Sequence, residues 1–201
     1  MGEVIYLYCK EIEGVWYAAA IRDSKVYATS FAFNKREALK HLLVNLPYDE
    51  PFQLLRKTSR TSQRVLKTLK LIYDGKDVTQ NFKLALNNLT TYTKKVLNCT
   101  CLIPIGYVTT YKAMAEAVGG SPRAVGGVMA RNPFPLLIPC HRVVRKLRDE
   151  KCVVGGYFLG TNVKSAILHR EDRGYSKPMK VKLNNKSLLV YPIKFLINFP
   201  R

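Results

Sequence analysis

Residues 110–131 read TYKAMAEAVGGSPRAVGGVMAR, and two helices can be read directly from them. Thr110 is placed to cap the first, in which Tyr111, Met114, Ala115 and Val118 fall at i, i+3, i+4 and i+7, one apolar stripe of a helix. Gly119 and Gly120 predict a tight turn. Ser121 then offers an N-cap and Pro122 a first-turn proline for a second helix reaching about Arg131. A capped helix, a glycine turn and another capped helix make a helix-turn-helix pattern. The second helix is expected to bury Val125, Val128 and Met129. Its other face carries Arg123, Gly127, Ala130 and Arg131, which is small and cationic. Glycines inside a helix lower its stability, so Gly126 and Gly127 need a reason. Close approach to a nucleic-acid backbone is one, and close packing of two helices is another.

Downstream of this pair, Asn132-Pro133-Phe134-Pro135 leads to Pro139-Cys140-His141-Arg142. Gly155–Gly160 follows as a loop able to bend around a ligand, and Asn162 is expected to cap a helix over 163–170 that delivers Glu171 at its end. The charged stretch Arg145–Lys151 reads as a turn. Upstream, a helix is expected near Thr90–Leu102, stopped at Ile103-Pro104-Ile105-Gly106. The first third reads differently. Val4–Cys9, Val15–Ile21 and Lys25–Phe31 are rich in β-branched and aromatic residues with turn signals between them, which predicts a three-strand meander. Asn34 and Glu37 resemble a capping box ahead of a helix ending before Pro47. A second, basic helix is expected over Arg64–Tyr73, with Val65, Leu66, Leu69 and Ile72 on one face, and an extended piece over Val78–Leu86. The expected organisation is an N-terminal α/β domain over 1–87, a DNA-binding domain over 88–173, and a basic extension over 174–201 with strand-like stretches at Ser187–Tyr191 and Ile193–Phe199.

Composition narrows the class. The 201 residues hold 33 Lys and Arg against 14 Asp and Glu, a net charge of +19. The excess is uneven: residues 1–85 carry +5 and residues 86–201 carry +14. A charge concentrated in the half that holds the helix pair fits a polyanion footprint better than a merely solvated surface. No stretch is long and apolar enough to span a bilayer, and Met1-Gly2-Glu3-Val4 lacks a signal-peptide pattern, so a cytoplasmic (or nuclear) location is expected. Cys9, Cys99, Cys101, Cys140 and Cys152 form no disulfide framework. Cys99 and Cys101 admit a strained local disulfide or half a metal site, and are read first as buried small side chains on a helix. His41, His141 and His169 are too scattered to argue for zinc, and no metal is expected.

The chemistry centres on the thiol. A cysteine is a weak nucleophile until deprotonated, and a neighbouring histidine is one of few groups able to remove that proton near neutral pH. The pair alone is weak evidence, since a lone cysteine is usually buried and inert.

The ordered set Gly106-x-Val108-x-Thr110-Tyr111, Arg123-Ala-Val-Gly-Gly-x-Met129, Asn132-Pro133 and Ile138-Pro-Cys-His-Arg-Val143 resembles the O6-alkylguanine-DNA alkyltransferase family over roughly residues 103–171. The resemblance implies an α/β fold, with an N-terminal domain of ribonuclease-H-like shape and a helical C-terminal domain containing the helix-turn-helix. It implies direct, irreversible and stoichiometric transfer of an alkyl group from O6 of guanine in double-stranded DNA to Cys140, after base flipping, by a monomer needing no cofactor. In that picture His141 takes the thiol proton through water and leaves an ionised sulfur, while Glu171 orients the imidazole. Tyr111 donates to N3 of the leaving base, and Asn132 ties the bend before the nucleophile to the helix pair. Arg123 fills the space of the everted base, and Ser121, Gly127, Ala130 and Arg131 lie on the DNA-binding surface. Main-chain groups of Cys140 and Val143, with Tyr157 and Phe158, line the substrate pocket. The chain departs from the family pattern at Phe158 and Leu159, where many relatives carry serine and glycine. A non-reactive binder of damaged bases, the rival class, would replace the cysteine; Cys140 is retained.

Overall fold

The computed structural model describes residues 4–78, 81–146, 151–183 and 186–197. It is a mixed α/β structure that divides into two compact units.

The first unit comprises residues 1–73, 77–89 and 133–137. Three strands, β1 (Ile5–Ile12), β2 (Val15–Arg22) and β3 (Lys25–Ala32), form the expected antiparallel meander. Two short strands extend it: β4 (Phe52–Leu54) pairs in parallel with β1, and β5 (Lys83–Leu84) in parallel with β3. Helix α1 (Lys35–Leu43) starts at Asn34, whose side chain accepts the Glu37 N–H at 2.9 Å. Helix α2 runs over Arg60–Tyr73, four residues earlier than expected, because Ser59 and Ser62 bond reciprocally to each other's backbone N–H at 3.1 and 2.8 Å. Both helices pack on the sheet, burying Leu42 of α1 and Val65, Leu66 and Leu69 of α2. Tyr73 takes the place expected for Ile72 in that core, with its ring edge-on to Phe31 at 5.5 Å.

The second unit comprises 74–76, 90–132 and 138–201. Helix α3 (Thr91–Cys101) is capped by Thr90, α4 (Tyr111–Val118) by Thr110, and α5 (Pro122–Ala130) by Ser121. Each hydroxyl accepts an N–H three residues on, so the three starts follow from local chemistry. Gly119 and Gly120 sit at φ +88° and +95°, the left-handed region that the turn between α4 and α5 requires. Helix α6 (Thr161–Glu171) starts from Gly160 at φ +92° and not from Asn162, which lies inside its first turn.

A five-stranded sheet accompanies these helices, in the order β8-β7-β6-β10-β9. Its members are β6 (Tyr107–Thr110), β7 (Val143–Lys146), β8 (Cys152–Val153), β9 (Met179–Leu183) and β10 (Lys186–Pro192). Strand β7 runs parallel to β6, with Thr109 opposite Val143. The stretch expected to be a basic extension is therefore built into this unit: β9 and β10 form a hairpin, and Tyr191 of β10 pairs with Val108 of β6. Val108, Val144, Cys152, Val154, Leu168, Tyr191, Ile193 and Leu196 form one buried cluster. Ile193–Phe195 is a single 3-10 turn instead of the expected strand, and the strand's last residues lie outside the described ones. Of the charged turn, residues 147–150 lie outside them too; Arg145 and Lys146 belong to β7. No helix among the described residues is long and apolar enough to cross a membrane.

Candidate active site

Cys140 opens a short 3-10 turn, Cys140–Arg142, at the mouth of β7. The bend before it is held by Asn132, whose side-chain N–H donates to the Ile138 carbonyl at 3.1 Å. Asn132 follows α5 and its C-cap Arg131, so one buried amide joins that helix to the loop of Cys140. Cys140 faces a cavity of about 340 Å³ lined by Tyr111, Gly126, Met129, Ala130, Gly156, Tyr157 and Phe158. The Tyr157 and Phe158 rings lie 4.7 Å apart on one wall.

Behind the thiol is an ion system built on a buried histidine–carboxylate pair. His141 and Glu171 are both 0% exposed, and His141 Nε2 lies 3.0 Å from Glu171 Oε1. Arg142 grips the same carboxylate with Nε and one Nη, both at 2.8 Å, and donates its other Nη to the Ile103 carbonyl at 2.7 Å. Burial alone would raise the Glu171 carboxyl; the charges and hydrogen bonds of His141 and Arg142 outweigh it and hold it at about 2. Glu171 is therefore ionised. Burial drives His141 the other way, below its ordinary value, so the resting imidazole is neutral. An ionised carboxylate accepts, hence Nε2 carries the proton, and Nδ1 keeps a lone pair that no described residue takes up. A neutral histidine with Nδ1 open is in the state required of a base.

The thiol itself departs from the ionised sulfur expected of a nucleophile. Burial pushes Cys140 up, against the opposing hydrogen bond of Asn132, the charge of Lys164 and the N–H groups of Cys140 and His141. The resting group is a neutral thiol ringed by donors that favour its anion. Tyr111 is likewise raised, first by burial and then by the proximity of Cys140, so it is a phenol able to donate.

Lys164 was not among the residues expected here. It is 1% exposed, and its ammonium donates to the carbonyls of Val143 at 2.7 Å and Gly156 at 3.3 Å. Burial lowers it to about 8. The signal was available: Lys164, Ile167, Leu168 and Glu171 fall at i, i+3, i+4 and i+7, one stripe of α6 with a charge at each end. Arg142 was missed because arginine after the histidine reads as ordinary surface charge.

Val143 is buried with its carbonyl engaged by Lys164, and does not line the cavity. Arg123 lies outside the cavity as well, on a neighbouring open groove of about 880 Å³ that it shares with Tyr111, Lys112, Pro122, Gly126, Arg145 and Lys146. Ser121 caps α5, and Gly127 lies beside Arg131. Cys99 is buried as expected, whereas Cys101 is exposed because the last turn of α3 rotates it outward; both are free thiols. No cluster of metal-ligating side chains occurs among the described residues.

Residues 91–173 match the profile of the 6-O-methylguanine DNA methyltransferase DNA-binding domain. The chain is 37% identical to the methylated-DNA–protein-cysteine methyltransferase of Methanothermobacter thermautotrophicus over 110 residues, 54% of this chain and 60% of that one. A match to the protein of the same name from Pyrobaculum aerophilum is 54% identical over 69 residues, covering 34% of this chain and 44% of the relative. Those two alignments thus span less than two thirds of the relatives they match. The protein of that name from Methanocaldococcus jannaschii is 31% identical over 166 residues, 80% of this chain and 90% of its own length. Among solved structures, O6-methylguanine-DNA methyltransferase from Pyrococcus kodakaraensis KOD1 superposes with a TM-score of 0.60 at 29% identity, covering 84% of this chain and 99% of that one.

Proposed function

Since the chain belongs to the methylated-DNA–protein-cysteine methyltransferase family, we propose that it repairs double-stranded DNA by moving an alkyl group from O6 of an everted guanine to Cys140. The observation that carries the reading is His141, held by the buried Glu171 and its Arg142 partner, one residue from a thiol that faces a pocket. His141 Nδ1 takes the thiol proton, relayed by water, and Glu171 stabilises the imidazolium. The sulfur attacks the alkyl carbon in line; an S–C bond forms as the C–O6 bond breaks. Tyr111 supplies a proton to N3, so the base leaves neutral. The protein ends as a thioether and does not turn over. A base must leave the stack to reach a pocket of this kind, and Arg123, which lines the adjoining groove, fills the space it leaves in the duplex. The restricted wall of Tyr157 and Phe158 favours small alkyl groups such as methyl.

The test is mass spectrometry after mixing the protein with a short O6-methylguanine duplex. One methyl per chain, mapped to the peptide holding Cys140, is expected, and Cys140→Ala should retain duplex binding with no transfer. Turnover beyond one equivalent, or a methyl on another residue, would overturn the assignment.

A further inference from the structure

The hairpin β9–β10 lies beyond residue 173, where the family profile ends, and the proposed reaction gives it no task. From Arg173 to the end, the chain has Arg173, Lys177, Lys180, Lys182, Lys186, Lys194 and Arg201 but no acidic residue. Those of them among the described residues are all exposed.

The pairing register says where this charge is carried. Strands β6 and β7 are parallel, and Thr110 sits opposite Val144, so Arg145 and Lys146 project past the end of β6 where Tyr111 begins α4. Strand β10 is antiparallel to β6, with Tyr191 opposite Val108; its first residues, Lys186 and Ser187, therefore run beyond that same end. Lys182 on β9 is opposite Ser187. Lys182 and Lys186 and the groove holding Lys112, Arg123, Arg145 and Lys146 thus lie at one end of one sheet. Contacts agree: β10 packs along α4, and Lys186 donates to the Glu116 carbonyl at 3.3 Å, one turn from Lys112.

We propose that the hairpin is a second DNA-backbone contact, continuing the cationic groove and lengthening the protein's hold on duplex beyond the helix-turn-helix. The inference rests on the repair reading for its partner. Its competitor is that Lys180 and Lys182 merely guard β9, an edge strand, against pairing with another chain.

The experiment uses the full chain and Lys180→Gln/Lys182→Gln, neither of which touches the reaction pocket. Affinity for an undamaged duplex of about three helical turns is measured against salt. Each phosphate contact contributes about 0.9 to the slope of log K against log salt, so the variant's slope should be shallower by nearly 2. Raising salt from about 50 to 200 mM should then cost the unaltered chain roughly ten-fold more affinity than the variant. Single-turnover methyl transfer from a saturating short duplex should be unchanged, and the charge reversal Lys180→Glu/Lys182→Glu should weaken binding further. An unchanged slope overturns the proposal, and new self-association with an unchanged slope does so in favour of edge protection. Absence of transfer by the unaltered chain would remove the repair reading instead, and the salt slope would still decide the hairpin.

Discussion

At the residue scale, the site consists of five charged or chargeable groups, Cys140, His141, Arg142, Lys164 and Glu171, gathered behind one cavity. The Cys140-His141 pair and Glu171 were legible in the sequence because spacing and residue type announce them. Lys164 and Arg142 were not, because the meaning of a cation depends on what the fold closes over it. The Glu171 carboxylate makes a prediction with a definite sign. Its value in the folded protein, about 2, lies below the ordinary 4.5. The native state therefore holds fewer protons than the unfolded state between those limits. The resulting stability is fully present above pH 4.5 and is lost as pH falls towards 2. Such a shift corresponds to about 3 kcal/mol. His141, buried neutral, adds to the same acid weakness from its ordinary value downward. Glu171→Gln should flatten the acid limb of stability against pH. At neutral pH it should cost about 3–5 kcal/mol, because Arg142 keeps its charge without a carboxylate. Urea unfolding at a series of pH values reads both. An acid limb that survives the substitution unchanged would mean that His141 or other carboxylates carry it.

The element scale shows why some of the chain could be read and some could not. Helices α3, α4 and α5 begin where threonine or serine can accept an N–H three residues on, so their starts are local facts. The strands β4 and β5 have no such local cause. Three and two residues long, they exist because a distant strand offers free N–H and C=O groups, and hydrophobic periodicity carries no trace of that partner. The same holds for Asn162, a good cap by type that sits inside α6 because Gly160 starts the helix two residues earlier. In helix α5, the surroundings of Gly127 answer the question that this glycine raises. A methyl group added at Gly127 would meet only the flexible end of Arg131, at 3.3 Å, and no other helix. Close packing is thus not the reason for that glycine. Gly127→Ala should raise stability by about 0.5–1 kcal/mol through helix propensity alone. If the small face of α5 lies against DNA, the same change should weaken duplex binding several-fold. Chemical denaturation and fluorescence anisotropy on one sample would separate these effects, and a loss of stability would restore the packing explanation.

For the whole molecule, the decisive question is whether the residues after Gly174 are a tail or part of a core. Composition suggested a tail: basic, short of acids, with a few strand-like stretches. The structure places Leu188, Val190, Tyr191, Ile193 and Leu196 among the buried residues of the second unit, none more than 7% exposed. Strand β10 also gives β6 its antiparallel neighbour, and Ile197 donates to the Cys152 carbonyl at 2.9 Å, tying the end of the chain to β8. The magnitudes decide the outcome of removing it. Burying one large apolar side chain is worth about 1.5–3 kcal/mol, so five of them approach the entire stability of a typical domain, about 5–15 kcal/mol. A chain ending at Gly174 should therefore lose the cooperative unfolding of its second unit and all methyl transfer, although every residue proposed for the reaction would still be present. The first unit includes no residue after 137, so its own unfolding transition should survive. Differential scanning calorimetry of the two lengths, with transfer measured alongside, checks this. Transfer at the full-length rate by the shortened chain, with its second transition intact, would show that the hairpin is attached to this core without holding it together.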